Sequence, residues 1–142
     1  VSLKTTMQMM VPVLKFADAI YLRDYELLQQ RSSRDLNSAV WHMTNEIPSL
    51  GFDPVKHFRL PLTSLEVERD RAVAGLGDDQ FGAKVLLVRE NDRFVVDDVR
   101  LINGVETSQR IDMKEGMRRE LSRFRGPTPI VQRPAMPTAV RQ

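Results

Sequence analysis

The apolar residues change their spacing halfway along the chain, from the period of a helix to the period of a strand. Up to about Ile47 they recur every three or four residues, and from Leu65 they begin to alternate with polar residues. Because the helices come first and the strands follow, this pattern predicts an α+β domain with N-terminal helices packed on an antiparallel sheet. The length of 142 residues fits one domain, and the apolar content of 42% is ordinary for a globular protein.

Two helices are predicted in the first half, over residues 5–30 and 33–47. Apolar side chains form one face of the first helix, and Leu14 and Tyr21 are expected to widen it. Pro12 suits the first turn of a helix, so the regular helix starts near Met10 or a longer helix is kinked at Pro12. Ser33 is a favourable N-cap for the second helix. Residues 53–61 are predicted to form a loop with one short helical turn.

Three strands are predicted, over residues 65–74, 81–89 and 93–102, with short turns between them. Such spacing is typical of an antiparallel meander, and one more short strand is possible between residues 58 and 63. An additional C-terminal helix is expected over residues 111–124, where Met113, Met117 and Leu121 lie on one face. Four prolines follow Gly126. We therefore expect a domain over residues 1–125 and an extended or disordered tail over residues 126–142.

Composition excludes several kinds of site. The chain has no cysteine, which rules out disulfides, thiolate metal sites and cysteine nucleophiles. No apolar run is long enough to span a membrane, no signal peptide is recognisable, and the compartment stays open between cytoplasmic and exported. Residues 1–99 hold 12 basic and 15 acidic side chains, whereas residues 100–142 hold 9 and 4. A solvated basic end explains this asymmetry better than nucleic-acid binding.

The order of the predicted elements and three short segments resemble the NTF2-like (cystatin-like, SnoaL-like) superfamily. The first segment is Ala-Ile-Tyr-Leu-Arg-Asp-Tyr, residues 19–25, at the end of the first helix. The second is Gly-Ala-Lys-Val-Leu-Leu-Val, residues 82–88, and the third is the strand of residues 93–101, with Phe94 where Trp is usual. The resemblance covers about residues 10–103. The last helix and the Pro/Arg-containing tail depart from the minimal domain.

This resemblance implies a cone-shaped, curved sheet with helices on its concave face and a pocket between them. A non-catalytic domain of this type is expected to form a homodimer that buries one face of the sheet, with or without the last helix. The superfamily includes isomerases, dehydratases, hydrolases and inert accessory domains, so the fold does not select a function. We expect no cofactor and no metal, because His42 and His57 lack ligand spacing. Both histidines are expected at the surface or partly buried.

Two adjacent carboxylates, Asp97 and Asp98, are the strongest candidates for chemistry. Strand alternation places Asp98 on one face with Val96 and Arg100, and Asp97 on the other face with Val99. One of the two carboxylates must therefore lean toward apolar surroundings. A carboxylate among apolar groups has a raised pKa and can act as a general base. An ion pair with a neighbouring Arg is the more frequent arrangement.

Four residues of the predicted helices are further pocket candidates. Tyr21 and Tyr25 can donate hydroxyl hydrogen bonds to an oxyanion, although an interior Tyr more often packs its ring. Asp24 either projects into the pocket or satisfies backbone N–H groups at a bend. Trp41, the sole Trp, is expected in the core or in the pocket wall.

Three hypotheses follow, in order of preference. The first is a non-catalytic domain that binds a small molecule or a partner, or that is an accessory module of a longer protein. The second is a pocket enzyme of the isomerase or dehydratase type, with an Asp base and a Tyr donor. The third is nucleic-acid binding through the basic tail, which lacks interleaved aromatic residues.

Overall fold

A computed structural model describes residues 2–44, 54–103 and 110–125 of the chain. It contains five helices, five strands and one 3₁₀ turn within these ranges. The helices are α1 (Leu3–Leu22), α2 (Tyr25–Gln30), α3 (Arg34–Ala39), α4 (Pro54–Phe58) and α5 (Met113–Arg125). The strands are β1 (Leu62–Glu68), β2 (Arg71–Gly77), β3 (Phe81–Glu90), β4 (Arg93–Asn103) and β5 (Arg110–Asp112).

The strands form one open, curved antiparallel sheet in the order β1-β2-β3-β4-β5. One apolar core joins buried side chains from all five helices and from β2, β3 and β4, with Phe16, Trp41 and Leu87 among its largest buried members. The predicted α+β class, with helices on an antiparallel meander and an additional C-terminal helix, is therefore confirmed.

The first predicted helix is interrupted after Leu22, although the helical spacing of apolar residues continues beyond it. Arg23 adopts a left-handed conformation (φ 56°), and the N–H of Asp24 donates to the carbonyl of Ala19. These contacts end α1 in the manner of a Schellman motif, here without the usual glycine. At its other end α1 begins at Leu3, with Ser2 as N-cap, and runs through Pro12. Of the two predicted alternatives, the longer helix that continues through Pro12 is thus correct.

The two sides of α1 are both apolar. Met9, Val13, Phe16 and Ile20 are buried against the sheet. Leu14 and Tyr21, which were expected to widen this face, are instead 51% and 65% exposed on the opposite side. The expectation failed because a helix that is apolar all round offers no pattern to distinguish its inner face.

The second predicted helix is shorter than expected. Ser33 is its N-cap, as predicted, and its hydroxyl accepts from the N–H of Leu36. Helix α3 ends at Ala39 and a 3₁₀ turn (Trp41–Met43) follows. The predicted helix end at residues 45–47 lies outside the described residues. The predicted helical turn in the proline-containing loop is α4.

Strand β3, strand β4 and the turn between them agree with the prediction. Asn91 and Asp92 both have positive φ (54° and 65°), as a two-residue type I′ hairpin turn requires. The strand predicted over residues 65–74 is wrong, since it is divided into β1 and β2 by a turn at Arg69 and Asp70. This Arg-Asp turn carries none of the Gly, Asn or Pro residues that mark turns in a sequence.

A β-bulge interrupts β4 at the two aspartates. Leu86 of β3 is paired with Asp98, but the next residue, Leu87, is paired with Val96, which leaves Asp97 as the extra residue. Val96 and Val99 are consequently both buried in the core. The prediction that Asp98 shares a face with Val96, and Asp97 with Val99, is therefore wrong.

Short segments pair with the free edge of β4 on either side of this bulge. Ser32 forms an isolated parallel bridge with Val96, and β5, which the sequence did not predict, pairs with residues 100–102. No helix of the described residues is long and apolar enough to cross a membrane. The predicted turn at Gly104 and the predicted tail over residues 126–142 lie outside the described residues.

Candidate ligand-binding site

The side chain of Asp97 is held by two other elements. Its carboxylate accepts a hydrogen bond from the Ser33 hydroxyl at 2.7 Å and lies 3.3 Å from the Lys114 ammonium. Because Ser33 also caps α3, this contact fixes the start of α3 against the bulge. We call Ser33, Asp35, Asp97, Asp98 and Lys114 the aspartate cluster.

Asp98 caps the first turn of α5 from a distance of sixteen residues. Its Oδ1 accepts from the backbone N–H groups of Lys114 and Val99, each at 2.8 Å. Burial raises the pKa of Asp98, although the two N–H groups and the Lys114 charge act in the opposite direction. A carboxylate at a helix N-terminus is favourable for the helix dipole.

Lys114 joins the cluster from α5. Its ammonium lies 2.6 Å from Asp35 and is only 19% exposed. Burial opposes its charge, but the hydrogen bonds and charges of Asp35 and Asp97 outweigh burial and raise the pKa of Lys114. The cluster is therefore a set of partnered ions and capping contacts in which Asp97 and Asp98 already have hydrogen-bond donors.

The other candidates taken from the sequence also have local partners. Arg100 forms an ion pair with Asp112 of β5 at 2.9 Å. Asp24 caps α2 by accepting from the N–H of Leu27, which is the structural role weighed for it. Trp41 is buried, and its indole N–H donates to the Ser32 hydroxyl at 2.9 Å. Tyr25 is half-buried against the core.

Tyr21 is not brought to these carboxylates. It lies on the outer side of α1, where it lines a cavity of about 370 Å³ with Asp18, Phe58 and Arg59. Neither Asp97 nor Asp98 lines that cavity.

The histidines are placed differently from one another. His42 is exposed. His57, expected at the surface or partly buried, is 1% exposed and stacks on the Phe81 ring with 4.2 Å between centroids. Among the described residues, no group of three His, Asp or Glu side chains is arranged to hold a metal ion.

A cavity that the sequence did not indicate lies between α1 and the β3–β4 hairpin. It measures about 550 Å³ and is lined by three guanidinium groups, those of Arg31, Arg89 and Arg93, and by one carboxylate, Asp92. The remaining lining is mixed: Thr5, Gln8, Met9, Val11, Pro12, Val67 and Phe94. We call this space the arginine cavity.

Each arginine of this cavity is positioned by a neighbour. Arg93 donates to the carbonyl of Gln30 at 2.9 Å, which joins the hairpin to the end of α2. Arg89 lies over the Phe94 ring, with 4.5 Å between its Cζ and the ring centroid, and its Nε forms an exposed ion pair with Asp70 at 3.6 Å. The backbone of Arg31 is fixed on β4, because its carbonyl accepts from the N–H of Val96 at 2.8 Å.

Arg31 carries the polar atom that most needs a ligand. Its Nε is buried and has no hydrogen-bond partner within the described part of the chain. An unsatisfied buried donor costs about 1–3 kcal/mol, and a charged one costs more. A carboxylate or phosphate in the arginine cavity matches guanidinium geometry best, and it would reach Nε itself only if the Arg31 side chain turned toward the cavity.

Part of this cavity could have been found from the sequence. Arg89 and Arg93 flank the predicted Asn-Asp turn, so an antiparallel hairpin brings them to the same end of the sheet. Arg31 gave no such signal, because its position depends on the break at Arg23 and on the pairing of Ser32 with β4. Lys114 likewise depends on β5, which was not predicted.

Comparisons of this chain with protein-family models, with curated proteins and with solved structures find no match. The resemblance to the NTF2-like superfamily therefore stays a prediction.

The ion pairs of Lys114 provide a first test of the aspartate cluster. We expect Lys114→Met to lower the free energy of unfolding by about 1–3 kcal/mol, because it leaves the half-buried Asp97 without its cation. The matched control is Arg123→Met on the same helix, whose exposed pair with Glu120 is worth at most about 0.5 kcal/mol. Urea unfolding of both variants measures the difference, and equal losses would contradict the assigned role.

The raised pKa of Asp98 provides a second test. A folded-state pKa above 3.8 means that the native state binds the proton more tightly than the unfolded chain does. The contribution of Asp98 to stability is therefore largest at low pH and falls as the pH rises through its folded pKa. Asp98→Asn cannot titrate, so its stability relative to the native sequence should rise over that interval. Urea unfolding across acidic to neutral pH measures this, and a relative fall would show that the pKa is lowered instead.

Proposed function

We propose that this chain is a non-catalytic binding domain of the NTF2-like type, which holds a small organic anion in the arginine cavity. The observation that carries the proposal is Arg31, which lines a cavity together with two further arginines and one acidic residue, and whose buried Nε has no hydrogen-bond partner within the described residues. We propose that the domain is an accessory module, either as a separate protein or as part of a longer one.

The lining indicates what kind of anion is expected. The arginines supply positive charge at the hairpin end, whereas Met9, Val67 and Phe94 supply apolar surface. A ligand with a carboxylate or phosphate head and an apolar body satisfies both, since pockets of this type combine apolar walls with a few placed polar groups. A volume of about 550 Å³ is in the range of small-molecule sites.

The contacts of the aspartates favour binding over catalysis. A general base must reach the substrate proton, and neither Asp97 nor Asp98 lines the arginine cavity or the cavity at Tyr21. Asp97 is engaged by Ser33 and Lys114, and Asp98 caps α5. Tyr21, the proposed oxyanion donor of the enzyme alternative, lines a different region with Asp18.

The nucleic-acid alternative rests on the tail of residues 126–142, which lies outside the described residues. On α5, Arg118 and Arg119 share the carboxylate of Glu115, and Arg123 pairs with Glu120. These pairs leave less positive charge available for backbone phosphates, but they do not neutralise the helix.

Calorimetry with octanoate and octanamide tests the proposal, because these two ligands differ in charge but hardly in shape. We expect octanoate to bind and octanamide not to bind, because only the carboxylate can satisfy the guanidinium groups. Affinity for octanoate should fall about tenfold in Arg31→Gln, the loss expected when one charge-assisted hydrogen bond is removed. Added salt should weaken binding.

Two further variants make this test specific. Arg71→Gln removes an exposed arginine that does not line the cavity, and its affinity should equal that of the native chain. Asp92→Asn removes the one carboxylate of the lining and keeps a residue that tolerates positive φ, so it should bind octanoate more tightly. Equal binding of octanoate and octanamide, or no effect of Arg31→Gln, would refute the anion site.

A further inference from the structure

The outer side of α1 carries an apolar stripe that nothing in the described residues covers. Its first four residues recur at intervals of four, four and three: Leu3, Met7, Val11 and Leu14. Tyr21 and Leu22 continue the same line toward the end of the helix. Their exposed fractions run from 42% to 78%. At 100° per residue this line lies opposite the buried face of Val13, Phe16 and Ile20. We call it the outer stripe.

The spacing is that of a helix–helix contact. Four exposed residues lie at heptad positions along α1: Leu3, Met7, Leu14 and Tyr21. Met10 and Ala17 complete the alternating four-and-three spacing, but they are partly buried against the chain's own core. Single exposed apolar residues are common on monomers, but a continuous line of this length marks an interaction surface.

Helix α1 carries three charged residues beside the outer stripe, Lys4, Lys15 and Asp18, and all three are exposed. Lys4 and Asp18 lie near the two ends of the stripe, and neither has an ion-pair partner within the described residues. Fourteen residues separate them, which is about 21 Å along a helix. Val11 lies midway between the two.

This arrangement is complementary to itself. A two-fold axis through Val11 and perpendicular to α1 brings Lys4 of one copy to Asp18 of the other, and does so twice. The same axis brings Leu3 toward Tyr21 and Leu22. A parallel pairing would instead place Lys4 against Lys4 and Asp18 against Asp18, which is unfavourable.

We infer that two copies of this chain associate through the outer stripes of their α1 helices, arranged antiparallel about Val11. The surface is distinct from the sheet face predicted above for a dimer. It shares Val11 with the lining of the arginine cavity, but the inference does not depend on the anion site. One helix pair buries less surface than a standard interface, so the dimer should dissociate on dilution.

The absence of cysteine makes a direct test possible, since one introduced thiol is the only thiol in the chain. Val11→Cys should form a disulfide-linked dimer on oxidation, because the two copies of position 11 meet at the axis. Leu3→Cys should not cross-link with itself, because its two copies lie at opposite ends. A mixture of Leu3→Cys and Leu22→Cys should give the mixed dimer in preference to either symmetric one. All three positions are exposed, so folding should be unaffected.

Charge reversal supplies an independent readout by sedimentation. Lys4→Glu should weaken the native dimer several-fold, and the double variant Lys4→Glu/Asp18→Lys should restore it, since the two reversed charges again attract across the axis. Cross-linking of Leu3→Cys with itself as readily as Val11→Cys would overturn the antiparallel arrangement. A monomer at every concentration, with no cross-link at Val11→Cys, would overturn the dimer and would mean that another segment or protein covers the outer stripe.

Discussion

The bulge at Asp97 and Asp98 is the feature on which the arrangement of the helices depends. The extra residue turns both carboxylates out of the regular alternation while Val96 and Val99 stay in the core. Asp97 then reaches the cap of α3, and Asp98 reaches the first turn of α5. Two adjacent residues of one strand thus hold the starts of two helices that are far apart in the sequence.

The same edge of β4 positions the arginine cavity. Pairing of Ser32 with Val96 fixes the backbone of Arg31, and the hairpin that begins β4 contributes Arg89 and Arg93. The charged residues of the chain therefore serve two purposes. In the aspartate cluster they are partnered and stabilise the fold, whereas the buried Nε of Arg31 has no partner in the described part of the chain. That difference is why the cavity, rather than the aspartates, is the proposed site.

The sequence was informative where local chemistry decides the structure. The cap at Ser33 and the Asn-Asp turn were predictable because a side chain or a backbone preference within a few residues determines them. The Arg69 turn and β5 were missed because they carry no local signal, and tertiary pairing decides them. In retrospect, two valines reveal the bulge. Val96 and Val99 both lie in the core, yet they are three residues apart, and strict alternation cannot place two such residues on one face of a strand.

The central claim is that ligand binding belongs to the arginine cavity and that the aspartates are structural. Amide NMR spectra recorded during a titration with octanoate test it directly, because every residue reports separately. The account predicts that the largest shift changes occur at Arg31, Arg89, Arg93 and Phe94, with little change at Asp97, Asp98 and Lys114. Largest changes at Asp97 and Asp98, with none at Arg31, would contradict it.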